Sequence, residues 1–136
     1  MGETALNLLS IARKGGYAAL GEDAVGAECR AQHAKLVVVA SDASDHTFRK
    51  AQNLARAAAC PVMRIQVTKQ ELGYSVGRST CALACVTDAG LALSLGTALG
   101  SLSEADLEAL RAFDARQRKL RKESKAHRSN LRHKKK

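Results

Sequence analysis

The chain has 136 residues, enough for one compact domain with a single core and too few for two ordinary ones. Hydrophobic residues make up 46% but aromatics only 3%, so the core must come from Ala, Val, Leu and Ile on regular elements, which favours an α/β sandwich over a loop-rich scaffold. The net charge of +9 is uneven: residues 1–100 hold 10 Lys/Arg against 8 Asp/Glu, residues 101–136 hold 12 against 5, so the basicity belongs to the C-terminal segment.

The opening, MGETALNLLS, lacks the charged n-region and apolar stretch of a secretory signal, and no run of 18 apolar residues follows, so a cytoplasmic protein is expected. Ala5, Leu8, Leu9 and Ala12 fall at helical spacing, and Arg13, Lys14 and Gly15 make a C-terminal stop. After a short apolar stretch, Tyr17 to Leu20, Gly21 opens a second helix with Glu22 and Asp23 where the dipole favours them. Val25 and Cys29 share its inner face. In AKLVVVAS the run Leu36 to Val39 reads as a central strand buried on both faces.

A turn at residues 41–44 leads to a helix capped by Ser44 or Asp45, with Phe48, Ala51, Leu54, Ala55 and Ala58 inward, ending at Cys60 because Pro61 disfavours helix in its predecessor. Residues 61–67 predict a strand. Thr68 and Glu71 form a capping box for a short helix that ends at Gly77. Residues 82–87 predict another strand, and Asp88 caps a helix bearing Leu91, Ala92, Leu95 and Leu99. The alternation of helix and strand implies a three-layer α/β/α sandwich with a central mixed sheet over residues 1–100. Beyond it, Ser103 and Asp106 suggest one more capping box, and Leu107, Leu110 and Phe113 a weak apolar stripe, so residues 101–136 predict a basic helix to about residue 122 and then a disordered tail.

Catalytic and metal chemistry finds little support. Cys29, Cys60, Cys81 and Cys85 make no Cys-x-x-Cys pair, and Cys81 and Cys85, if both on one strand, lie about 13 Å apart on one face, so they are expected in the core. The four histidines have no matching partners. KGGYAALGED is neither a P-loop nor a dinucleotide fingerprint. No nucleophile, base and orienter can be assigned together, so no enzyme, cofactor, metal or small-molecule substrate is expected.

The functional weight therefore falls on loops and charge. Gly21, Glu22 and Asp23 stand at a helix N-terminus, where backbone N–H groups can meet a phosphate or base edge. Gly77, Arg78, Ser79 and Thr80 offer a guanidinium and two hydroxyls, suited to an RNA backbone or extruded base, with Arg13, Lys14 and Lys35 adding charge. From residue 115 onward 11 Lys/Arg face Glu123 alone, among them Arg116, Arg118, Lys119, Arg121, Lys122, Lys125, Arg128 and Arg132. That run is either a solubilising tail or a phosphate-binding arm, and it lacks the apolar face that would anchor it to a membrane.

The stretches AKLVVVASDAS and PVMRIQVTKQELGYSVG, with the strand after them, resemble the ribosomal L-seven-Ae / L-thirty-e family. The run LLSIARKGG to SDAS is most similar to its small bacterial YlxQ-like branch. The likeness spans about residues 4–99. It implies a fold that binds kink-turn RNA, with Gly21, Glu22 and Asp23 meeting the sheared G·A edges and Leu72, Gly73, Gly77, Arg78, Ser79 and Thr80 packing on the protruding nucleotide. Where many members carry Asn, then Glu, then Lys three positions on, this chain has Asp23, Ala24 and Ala27. An amide that donates and accepts is thereby a carboxylate that only accepts, and one cation is lost.

The expected function is non-enzymatic recognition of structured RNA, kink-turn-like or ribosomal, perhaps alongside ribosomal proteins. The rival is a protein-interaction adapter on the same fold, tethered to RNA or ribosomes by its basic segment. A recognition module of an RNA-modifying enzyme is disfavoured, because the chain has no room for a catalytic domain.

Overall fold

The computed structural model describes residues 2–100 and 102–134, with side chains from Glu3 to Gly100 and from Leu102 to Glu123. In chain order the elements are α1 (Gly2–Lys14), β1 (Ala18–Leu20), α2 (Gly21–Arg30), β2 (Leu36–Val39), α3 (Asp45–Ala58), β3 (Val62–Arg64), α4 (Lys69–Ser75), β4 (Leu83–Val86), α5 (Ala89–Leu99) and α6 (Glu104–Lys134). The sheet order is β1-β4-β2-β3, with β2 and β3 parallel and the other pairs antiparallel, so it is mixed as the sequence implies.

Strand β2 lies inside the sheet with all four residues buried, which is why it is a continuous aliphatic run. Helices α2 and α3 pack together on one face, while α1 contacts α4 and α5 on the other and α6 lies against α5. The helix ends follow local chemistry. The Ser44 hydroxyl accepts from the Thr47 N–H at 3.1 Å, which settles the cap of α3. Thr68 and Glu71 form the reciprocal box expected at α4.

Several boundaries differ from the sequence reading. β3 covers Val62–Arg64 instead of residues 61–67, although Ile65 and Ser41 continue the bonding with N–H groups donated to Val39 and Val67 carbonyls. β4 begins at Leu83, so Cys81 precedes it and the same-face relation with Cys85 does not arise. Cys81 is buried all the same. The stretch before Gly21 supplies β1, whose three residues are too few to show a period and are extended by pairing with β4. The Ser103 hydroxyl accepts from the Asp106 N–H. The backbone of α6 stays helical to Lys134, where the sequence reading ended the helix near residue 122 and made the rest disordered. No Gly or Pro interrupts residues 101–136, and Ala, Arg, Lys, Gln and Glu are good helix formers.

α3 closes with Ala59 in the left-handed region at φ 53°, where the Cys60 N–H donates to the Ala55 carbonyl and the Ala59 N–H to that of Arg56. That is a Schellman closure made without its usual glycine. Ala59→Gly should therefore raise stability by about 1 kcal/mol, relief of left-handed strain exceeding the added chain entropy. An unchanged or lower midpoint in urea would show that Ala59 is not strained.

Candidate functional site

The sheet has two functional ends, set by the register of its antiparallel pairs. Leu20 pairs with Ala84, so the chain leaving β1 at Gly21 sits beside the start of β4. Gly21 takes φ +85°, a conformation that side chains resist, and turns strand directly into helix. The Leu20 cap position has no side-chain hydrogen bond, so no cap side chain covers the first turn of α2.

The loop before β4 meets that turn. Nη1 of Arg78 lies 3.3 Å from where a Cβ on Gly21 would be. The buried Cys81 thiol joins the two segments, donating to the Leu83 carbonyl and meeting the Gly21 N–H. Burial pushes that thiol above its ordinary value, against the opposing influence of Arg78 and the backbone bonds. Burial likewise pushes Cys60 and Cys85 up to about 12, so these are packing groups and not thiolates at neutral pH.

α4 holds the loop at both ends. The Arg78 N–H donates to the Gly73 carbonyl at 2.7 Å, and the Cys81 N–H to that of Lys69 at 3.0 Å. Gly73 is buried under the loop: a Cβ there would come within 2.6 Å of the Thr80 backbone. Leu72 is fully buried, so these two residues support the loop from within and do not offer a ligand surface. Arg78, Ser79 and Thr80 are exposed. Arg13, from the last turn of α1, brings its guanidinium against Gly77, 3.5 Å from where a Cβ would stand. Lys14 is exposed at the end of the same helix. Glu22 accepts from Lys50 of α3 at 2.9 Å, a partner sequence reading left on an outward helix face, and among the described residues Asp23 has no ion-pair or hydrogen-bond partner.

Thus Gly21, Glu22, Arg78 and their neighbours converge on one edge, with the Arg13 guanidinium reaching the same loop at Gly77. Lys35 does not join them. It precedes β2, whose Leu36 pairs with Val86, and its N–H donates to the Val86 carbonyl, which puts it at the far end of the sheet. Its ammonium lies 4.6 Å from the ring centre of Phe113 on α6. Antiparallel pairing sends the residues before β2 and those before β4 to opposite ends, and a sequence without its register cannot show this.

The basic segment also divides. Arg121 donates to Asp88 Oδ1 at 2.8 Å, and Arg118 lies 3.2 Å from the Asp114 carboxylate. Among the described residues Arg116, Lys119 and Lys122 have no ion-pair partner, while the side chains of Lys125, Arg128 and Arg132 lie outside those described. Among the described residues no cluster of three His, Cys, Asp or Glu could hold a metal, and no helix is long and apolar enough to cross a membrane. Tyr74, one residue past Gly73, is 88% exposed and was missed because its helical position carries no pattern of its own.

Residues 3–93 match the model of the Ribosomal protein L7Ae/L30e/S12e/Gadd45 family. The chain is 33% identical over 88 residues to the RNA-binding protein YlxQ of Bacillus subtilis (strain 168), an alignment covering 65% of this chain and 87% of that protein. A Bacillus halodurans protein of unknown function has a similar solved structure, with TM-score 0.65 and 27% identity over 71% of this chain and 97% of that one. The Giardia lamblia 15.5kD RNA binding protein shares the fold, with TM-score 0.58 and 21% identity over 80% of this chain and 88% of its own. A left-handed glycine opening α2, a loop clamped to α4 and a mixed sheet between helical layers are thus the frame of a shared fold, and this chain belongs to the Ribosomal protein L7Ae/L30e/S12e/Gadd45 family.

Proposed function

We propose that the chain is a non-enzymatic RNA-binding protein that recognises a structured RNA, ribosomal or kink-turn-like, in the cytoplasm, through the edge formed by Gly21 and Arg78. The observation that carries this is the approach of Arg78 to the uncapped start of α2, 3.3 Å from the Cβ position of Gly21. There a guanidinium and backbone N–H groups can address the same phosphate or base edge. The named RNA-binding relative at 33% identity supports the choice of RNA.

The reading also accounts for the departure at Asp23, Ala24 and Ala27. Lys50 neutralises Glu22, and Arg78 and Arg13 supply cations from neighbouring elements, so the positive charge lost from α2 returns through space. Because the loop is bonded to α4 at both ends, the donors hold a fixed spacing that suits a folded RNA better than a flexible strand.

Arg78→Ala should weaken binding of a kink-turn RNA about tenfold, the loss of one charge-assisted contact. Binding of an unstructured strand of equal length should fall much less when both are followed by fluorescence anisotropy at one salt concentration. Equal losses would remove shape recognition from this edge.

A further inference from the structure

We infer that the far end of the sheet carries a second RNA-binding face, built by α6, and that the protein bridges two RNA segments. The inference shares with the proposed function only its choice of RNA as ligand.

The geometry begins with Asp88. It follows β4, at the end of the sheet opposite Arg78, and its buried carboxylate takes bonds from Gln117 Nε2 at 2.6 Å and Arg121 at 2.8 Å. Gln117 Oε1 in turn accepts the Ala89 N–H at 3.0 Å, and Leu110 is fully buried. The middle of α6 is therefore docked on the domain, which gives its outer side chains a fixed origin.

What the docking presents is basic. Between α6 and the C-terminal ends of α2 and α3 lies a groove of about 410 Å³, lined among others by Lys35, Ala58, Phe113, Arg116 and Leu120. Lys35 stands over the Phe113 ring, and Arg116 lies 5.8 Å from the same ring centre. Leu120 is 61% exposed. Past the groove, Lys119 and Lys122 continue from Arg116 at three-residue steps, each a rise of about 4.5 Å, of the order of the phosphate repeat along a strand.

An apolar floor with cations at its rim suits a nucleotide, whose base or ribose can lie on the floor while the phosphates meet Lys35, Arg116 and Lys119. The acidic groups nearby do not cancel this field. Asp114 is engaged by Arg118, Asp88 is enclosed, and Glu123 stands against the whole group. Strand β4 separates this face from the Gly21–Arg78 edge, about 13 Å of extended chain, so two short RNAs need not compete.

The test uses the full chain, a donor-labelled kink-turn RNA and an acceptor-labelled RNA duplex of about one helical turn. Wild type should bring the two labels together in energy transfer. The triple variant Arg116→Gln, Lys119→Gln, Lys122→Gln changes only exposed, unpaired side chains and should keep its thermal midpoint. It should lose bridging and bind the duplex at least tenfold more weakly, with kink-turn affinity changed less than about threefold. Arg78→Ala should do the reverse. Duplex binding without any kink-turn binding would defeat the proposed function and leave this face standing. Mutual displacement of the two RNAs, or unaltered bridging by the triple variant, would overturn the inference. So would a dimer of the RNA-free chain that the triple variant dissociates, since the face would then belong to a second copy.

Discussion

Gly73→Ala should be among the most damaging single-methyl changes in this protein, costing about 2–3 kcal/mol, as overpacking does where nothing can move aside. The added Cβ would lie 2.6 Å from the Thr80 Cα and 2.8 Å from its backbone N and C, and backbone cannot swing away as a side-chain tip can. α4 is not free to retreat. Its capping box fixes its first turn, and the Lys69 N–H is bonded to Asp42 at 2.7 Å. The loop must give instead, carrying Arg78 away from Gly21. Thermal melting should show a midpoint lower by roughly 5–10 °C, and binding of bent RNA, measured well below that midpoint, should fall about tenfold. Tyr74→Ala at the exposed neighbouring position should leave the midpoint nearly unchanged. A Gly73→Ala protein that melts like wild type would mean that the loop is not seated on α4.

Asp88→Ala is expected to cost about 3 kcal/mol, the sum of a lost helix cap and the stranding of a half-buried amide. The carboxylate accepts from the Leu91 N–H, Gln117 and Arg121 together, so one substitution loosens α5 at its start and α6 at its middle. The Arg121 bond contributes little of that total, because its guanidinium is 60% exposed. Asp88→Asn keeps a capping oxygen and should lie between alanine and wild type. The carboxyl also makes a pH signature. Burial pushes its pKa up, but the bonds from Leu91, Gln117 and Arg121 outweigh burial and hold it below the ordinary 3.8. A folded value below the unfolded one means the contribution is present above about pH 4 and is lost as pH falls through the folded value. Urea midpoints measured from pH 6 down to pH 2.5 should therefore fall less steeply in Asp88→Asn than in wild type. Parallel curves would show that Asp88 is not the linked group.

These expectations show where local reading sufficed. The Ser44 cap, the Thr68–Glu71 box, the Asp88 cap and the buried run Leu36–Val39 were all legible, because each rests on interactions within a few residues. The pairing of Gly21 with Arg78 was legible only through family resemblance, since 57 positions separate them and no periodicity links them. Lys50 opposite Glu22 and Arg13 beside Gly77 left no trace in their own segments.

The sequence by itself determined the helices and strands near their centres, the mixed α/β class and the family, because apolar spacing, caps and charge composition are properties of short stretches. Tertiary structure alone decided which cations share a surface. Lys35 went to the far end of the sheet, Arg121 to Asp88, and the middle of α6 to α5. The reason is strand register: one antiparallel pairing reverses the end at which a residue emerges, and that pairing is chosen by the whole core at once.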